Sequence, residues 1–282
     1  MLPSFERIGI VGVGLIGGSV ARAARQANPA VNVVGLDIDR VAENAAAAGV
    51  VDQVGDLDAI AACDVVVLAA PVSTNLAFLD RLSSVGCQAL VTDVGGTKRQ
   101  MHAKASSLGS SLRFIGGHPM AGREVSGFAA SDVDLFQGRR WFLVPTERST
   151  AVDLAALQAW VASLGARPMP VDAETHDRVM AAVSALPQVT ASVLMKVVGD
   201  RVEADGLRMA GPGLRDTTRL AGSAATWMTD GLAHNAREVA DALDALILEL
   251  RAVRDLLDTP ERAAAVFSEA QEWRRQLLDL SR

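Results

Sequence analysis

Short apolar runs alternate with amphipathic stretches up to about Asp172, and from there the pattern is helical throughout. Apolar runs of this length, bounded by glycine, proline or acidic residues, read as strands buried on both faces. They fall at 7–11, 31–36, 64–71, 89–94, 114–115, 141–145 and 166–171. Between them, helical spacing predicts helices to about Gln26, over 40–48, from about Thr74 and over 150–164. Strands alternating with helices at this pitch predict an α/β, doubly wound parallel sheet over residues 1–172. Residues 173–282 then read as an all-helical domain, with helices at 173–184, 188–198, a stretch through 219, 226–257 and 261–280. Within it Val239, Leu243, Leu246, Ile247, Leu250, Val253, Leu256 and Leu257 recur at helical spacing and predict an apolar core stripe.

The first strand runs straight into Gly12-Val13-Gly14-Leu15-Ile16-Gly17, and a helix follows. This is the strand, glycine turn and helix of a Rossmann-type dinucleotide site. Gly12 permits the tight turn, Gly14 lets the pyrophosphate approach the backbone, and Gly17 lets helix and strand pack closely. Leu15 and Ile16 open the helix, whose free N–H groups and positive dipole end suit phosphate. Asp37 ends the second strand about twenty residues later, where an acid accepts hydrogen bonds from the adenosine ribose and repels a 2′-phosphate. The expected cofactor is therefore NAD, although nearby Arg40 could pair with that phosphate and a helix cap is the plainer reading of Asp37.

Ligands of such sheets sit beyond the carboxyl ends of the strands. Two loops there stand out: 69–72, with Pro71, and Asp93-Val94-Gly95-Gly96-Thr97-Lys98. The second suits contact with nicotinamide or substrate, and Thr97 would equally suit a helix cap. The next strand delivers Gly116-Gly117-His118-Pro119-Met120-Ala121-Gly122 to the same edge. Glycines let the backbone approach a bound molecule, and Pro119 stiffens the turn that aims the imidazole. Spacing alone leaves a polar surface loop open.

Composition narrows the class. The 282 residues are half apolar, which suffices for two domains, and the net charge of −6 gives no general reason to bind nucleic acid or anionic membrane. Cys63 and Cys87 lack metal-ligand or disulfide spacing and read as buried free thiols, as in a reducing cytoplasm. No metal site is expected. No basic leader precedes an apolar block at the N-terminus, and no apolar run is expected to reach the length of a membrane span. The chain contains no tyrosine, so no catalytic tyrosine. His102, His176 and His234 read as ordinary helix residues, His176 at a helix start packing at the domain junction, and Trp227 as an apolar anchor.

Taken in order, the glycine turn, Asp37, the Asp-x-Gly loop with its lysine, and Gly117-His118-Pro119-Met120-Ala121-Gly122 with Glu124 and Ser126-Gly127 resemble the prephenate and arogenate dehydrogenases of tyrosine biosynthesis. His176-Asp177 followed by Ser184-Ala185-Leu186-Pro187-Gln188 looks like the start of that family's helical domain. Residues 210–221, with Arg215 and Arg219, look like its substrate-binding arginine segment. The resemblance covers nearly the whole chain. It implies NAD-dependent oxidative decarboxylation of a cyclohexadienyl substrate, with His118 accepting the ring-hydroxyl proton. It also implies that Arg219, or secondarily Arg215, holds the carboxylate, and that the helical domain forms a homodimer.

Many members have Ser-His-Leu-Pro-His where this chain has Ser184 to Gln188, and many have serine where Gly96 stands. These positions help hold the substrate, so the departures bear on which ring is used. The alternatives are a relative acting on 4-amino-4-deoxyprephenate and, further off, a sensor that binds NAD without turnover. A β-hydroxyacid dehydrogenase would want a catalytic lysine in the second domain, and Lys196 is a poor match for it. No extra regulatory domain is expected in this sequence.

Overall fold

Every predicted strand forms: the central ones are apolar runs buried on both faces, while the last, Arg167–Pro170 at the edge of the sheet, is largely exposed. The structure, a computed structural model, describes residues 5–108, 112–123, 125–223 and 225–280. They divide into two compact units, residues 1–236 and 237–282.

In the first unit one sheet contains β1 (Arg7–Val11), β2 (Asn32–Leu36), β3 (Gln53–Val54), β4 (Val65–Leu68), β5 (Leu90–Asp93), β6 (Arg113–Pro119), β7 (Arg140–Pro145) and β8 (Arg167–Pro170). Its order is β3-β2-β1-β4-β5-β6-β7-β8. Helices α1 (Leu15–Ala27), α2 (Asp39–Ala47), α3 (Leu57–Ala61), α4 (Val72–Ser84), α5 (Arg99–Ser107) and α6 (Ala151–Ser163) connect the strands. Ile8, Ile10, Val65 and Val67 point to one face and pack with Val20 and Ala24 of α1 and Leu157 and Val161 of α6. Val11, Val66, Leu68 and Val91 point to the other and pack with Leu79 and Leu82 of α4 and Met101 of α5. Cys63 and Cys87 are buried and unpaired as expected, and burial pushes the Cys63 thiol up to about 11.

The sheet departs from an all-parallel one at a single step. Strand β7 runs antiparallel to β6, pairing Phe142 with His118 and Trp141 with Pro119. A parallel return needs a crossover long enough to hold a helix. Among its described residues, the glycine-rich, polar segment between Pro119 and Arg140 forms only a 3₁₀ turn at Phe128–Ala130, with no crossover helix, and the chain returns antiparallel. His118 consequently sits on a strand rather than in a free turn. Short β3 and α3 were not predicted; each is too short to set up a period of its own.

The helical segment of this unit comprises α7 (Ala173–Met180), a π turn at Ala181–Ala185, α8 (Leu186–Leu207), α9 (Pro212–Thr217) and α10 (Ala225–Ala233). The predicted break near Ser184 does not occur, and the helix runs on from Ala173 to Leu207 with one kink, at Glu203, whose φ is +52°. Pro187 lacks an N–H and its ring would strike the Val183 carbonyl in a regular turn; the wider π turn ahead of it relieves both. By length and composition this helix could cross a membrane, so the expectation that no apolar run reaches that length does not hold. The predicted helix over 226–257 is in fact two, interrupted at His234 and Asn235, where the Asn235 amide donates to the Asp177 carbonyl at 2.8 Å.

The second unit consists of α11 (Ala236–Asp255) and α12 (Pro260–Leu280). Of the predicted core stripe Val239 is buried, but Ile247, Leu250 and Leu257 are exposed, as are Phe267, Trp273 and Leu277 of α12. The periodicity identified a helix face without saying what covers it.

One buried amide anchors the loop after β4. Asn75, wholly buried on α4, donates to the carbonyls of Leu68 and Ala70 at 3.2 and 2.9 Å and accepts from the Ala70 N–H at 3.2 Å. Asn75→Ala removes all three bonds and is expected to destabilise the protein by about 2–3 kcal/mol. The check is a urea titration in which the midpoint falls while the slope stays unchanged.

Candidate active site

The carboxyl ends of the parallel strands β1, β2, β4 and β5 share one edge with the end of β6, and the glycine turn, Asp37, Pro71, the 93–98 loop and His118 gather there. The glycine turn comes first. Gly12 has φ +92°, and a Cβ on it would lie 2.6 Å from the Ala69 backbone. A Cβ on Gly17 would lie 2.0 Å from the Gly12 carbonyl oxygen, whereas one on Gly14 would meet nothing within 4 Å. The turn thus closes through Gly12 and Gly17 and leaves open space beside Gly14, the cradle a pyrophosphate needs above the start of α1 at Leu15 and Ile16.

Asp37 does not cap α2, whose cap residue is Ile38. Its carboxylate instead accepts the Val13 N–H at 2.6 Å and the Ile38 N–H at 2.7 Å. It therefore ties the glycine turn to the end of β2, and each oxygen keeps a lone pair for a ribose hydroxyl. Pro71 begins α4 at the same edge and is exposed.

Deeper in, Asp93 and Lys98 are both fully buried and paired, Nζ to Oδ2 at 2.5 Å. The Asp93 carboxylate also accepts the Gly117 N–H at 3.0 Å and the Gly95 N–H at 2.9 Å. Expected to touch the cofactor, its side chain is spent on the protein and sets the shape of the 93–98 loop. A Cβ on Gly117 would lie 2.3 Å from the Asp93 carbonyl, so glycine is required where β6 crosses β5. Thr97 does not cap α5, and its buried hydroxyl has no partner among the described residues. Gly96 faces His118: a Cβ there would stand 3.9 Å from the His118 Nε2.

His118 is held by neighbours to which the sequence assigns no part in the site. Its Nδ1 lies 2.9 Å from Nε2 of His176, whose Nδ1 lies 2.8 Å from Oδ1 of Asp177. Phe142 packs against both rings, its centroid 6.4 Å from that of His118 and 5.6 Å from that of His176. Burial, with the His176 and Lys98 charges adding to it, holds the His118 pKa well below the usual 6.5, so the ring is a neutral base at neutral pH. Burial also lowers His176, against the opposing pull of Asp177. For Asp177 burial works upward, but bonds from His176 and from the Arg99 and Lys98 N–H groups outweigh it and keep the carboxylate ionised.

From sequence, His176 reads as a helix-start residue at the domain junction and His176-Asp177 as the opening of a family-like helical domain, just after the Asp172 cap of α7; neither reading gives the pair a part at His118. Nothing in the chain shows that α7 comes to lie against β6.

In the helical segment Gln188 is buried, its amide donating to the Leu220 carbonyl at 2.5 Å and its oxygen accepting from Ser223 at 3.4 Å. It fastens the 3₁₀ turn Arg219–Gly222 to α8. Arg219 and Arg215 are exposed, as are Ser184, in the π turn, and Ser126. Glu124 lies outside the described residues. Lys196 is exposed and paired with Asp200, no arrangement for catalysis. Among the described residues no cluster could hold a metal.

A Rossmann-type sheet with an intact glycine turn and an acid ending the second strand, facing a half-buried neutral histidine, defines a dinucleotide-dependent dehydrogenase. Residues 20–169 match the prephenate dehydrogenase nucleotide-binding domain, and residues 172–272 the dimerization domain of the same family. The chain belongs to the prephenate dehydrogenase family and is an oxidoreductase. It is 32% identical to prephenate dehydrogenase of Bacillus subtilis over 95% of this chain and 75% of that protein. The crystal structure of prephenate dehydrogenase from A. aeolicus, in complex with hydroxyphenyl propionate and NAD+, superposes with a TM-score of 0.89 at 27% identity, covering 98% of this chain and 100% of that one. Synechocystis arogenate dehydrogenase superposes at 0.80, also 27% identical, over 96% of this chain and 99% of that one.

The glycine geometry separates folding from cofactor binding. Gly17→Ala is expected to lower the melting temperature, because the new methyl meets backbone. Gly14→Ala is expected to leave melting unchanged and weaken NAD binding at least about tenfold. Thermal melts with and without NAD distinguish the two.

Proposed function

We propose that the protein catalyses NAD-dependent oxidative decarboxylation of a cyclohexadienyl acid, prephenate or arogenate, with His118 accepting the ring-hydroxyl proton. The observation that carries this is the neutral His118 ring, whose Nε2 faces the Gly96 loop at the cofactor edge. The names of the relatives support the substrate class: prephenate for the B. subtilis and A. aeolicus proteins, arogenate for the Synechocystis one.

NAD, when bound, supplies the hydride acceptor. The chain's own task is to hold the ring in register and manage one proton. His118 takes the hydroxyl proton as hydride leaves the same carbon, and returns it to the phenolic oxygen as carbon dioxide departs and the ring becomes aromatic. Arg219 holds a substrate carboxylate through its planar fork, with Arg215 next in line, and Ser184, Gln188 and Thr97 contribute around the ring. Asp37 selects NAD by repelling a 2′-phosphate.

The catalytic division falls between a cofactor domain, 1–172, and a substrate and dimerisation domain, 173–282. Two copies are proposed to pair through the latter. Exposed Val183, Val193 and Val197 on the long helix, and Leu250 and Trp273 in the second unit, are then apolar surface for a partner rather than for lipid. Cytoplasmic residence agrees with the two unpaired thiols.

Gly96 favours one second reading. With no side chain between that loop and His118, the site has room for the amine of 4-amino-4-deoxyprephenate. Turnover of prephenate, arogenate and the amino analogue, each with NAD and NADP, tests both readings. NAD with a hydroxyl substrate supports the first, and the amino analogue alone supports the second. No reduction with any of the three overturns both.

With the best substrate, His118→Asn is expected to lower kcat by roughly 10²–10⁴-fold with a smaller change in KM; near-normal kcat removes His118 from the role. Arg219→Lys is expected to raise KM by roughly 10–100-fold, as one of two charged bonds is lost. An unchanged KM moves the carboxylate site elsewhere.

A further inference from the structure

Behind His118 stands a chain of three groups whose proton positions can be assigned from one end. Asp177 is wholly buried and accepts the Lys98 N–H at 2.7 Å on Oδ1 and the Arg99 N–H at 2.9 Å on Oδ2. An ionised carboxylate has nothing to donate, so across the 2.8 Å contact with His176 the hydrogen must sit on His176 Nδ1. A neutral imidazole carries only one hydrogen, so His176 Nε2 is a bare lone pair. Across the 2.9 Å contact that lone pair accepts from His118 Nδ1, which leaves His118 Nε2 bare and facing Gly96.

We propose that Asp177 and His176 are positioning residues that fix His118 in the tautomer able to act as a base and take up the charge it gains. The inference rests on the reading of His118 as proton acceptor and extends it two residues back. When the hydroxyl proton bonds to His118 Nε2, the Nδ1 hydrogen of His118 passes to His176 Nε2. His118 is then neutral again, and His176 becomes an imidazolium beside the Asp177 carboxylate. The shift reverses when His118 returns the proton to the phenolic oxygen, so no proton is gained or lost. Moving the charge one ring back places it against the Asp177 carboxylate, which His118 lacks as a partner; the Lys98 ammonium opposes a charge on either ring.

The arrangement is also stiff. Asp177 is fastened to the start of α5 by two backbone bonds, its own carbonyl accepts the Asn235 amide at 2.8 Å, and Phe142 packs edge-on against His176 at 80°. A misplaced tautomer would put a hydrogen on His118 Nε2 and turn the acceptor into a donor.

The test is nitrogen NMR on the ¹⁵N-histidine-labelled full chain at neutral pH, with the His118 signals assigned by their loss in His118→Asn. Hydrogen on His118 Nδ1 and on His176 Nδ1, with both Nε2 atoms bare, is the expected result; hydrogen on His118 Nε2 overturns the proposal. In parallel, His176→Phe keeps a ring against Phe142 but removes the acceptor. It is expected to lower kcat at least about tenfold with KM and NAD affinity within about twofold, and unchanged kcat likewise overturns the proposal. If His176→Phe does not fold, the spectrum of the unaltered protein decides. Should His118→Asn retain kcat, the base reading fails whatever the tautomer. Should His118→Asn lose kcat while His176→Phe keeps it, the relay alone fails.

Discussion

The active-site edge depends on the buried carboxylate of Asp93. Three donors converge on it: the Lys98 ammonium and the Gly95 and Gly117 N–H groups. Burying an ion pair costs several kcal/mol per charge, which the attraction between the pair and the two backbone bonds to the carboxylate offset. The bonds join the end of β5, the loop after it and the strand that bears His118 into one rigid corner. Gly117 allows β6 to come within reach of that carboxylate, since any side chain there would collide with the Asp93 backbone.

From that corner the rest follows outward. Lys98 ends the loop at the start of α5, and the backbone N–H groups of Lys98 and Arg99 meet Asp177. Helix α7 is thereby fixed against the sheet, and His176 is carried to His118. On the other side, Asn75 holds the loop after β4 and Asp37 holds the glycine turn. Each anchor is a short polar side chain bonded to backbone, which gives a precise scaffold for the groups that meet ligand.

The helices beyond Asp172 obey different physics. Many of their apolar side chains are exposed in the single chain, and a π turn ahead of Pro187 carries the longest helix past that residue to a kink at Glu203. Such surface is costly in water and calls for a partner, in keeping with the dimerization domain that residues 172–272 match.

The sequence by itself determined seven of the eight strands, because most of them are continuous apolar runs; the two-residue β3 carries no such signal. It also determined the glycine turn and Asp37, whose roles depend on neighbours within one strand–turn–helix unit, and it singled out His118 by its glycine setting. Local pattern reached no further. The antiparallel return of β7, the spending of Asp93 on Gly117, the fastening of Gln188 to the turn of Arg219, and the meeting of His176 and Asp177 with His118 were decided only by the tertiary structure. His118 and His176 lie far apart in the chain, and hydrophobic periodicity says which face of α7 is buried, not which side chain of β6 it will meet.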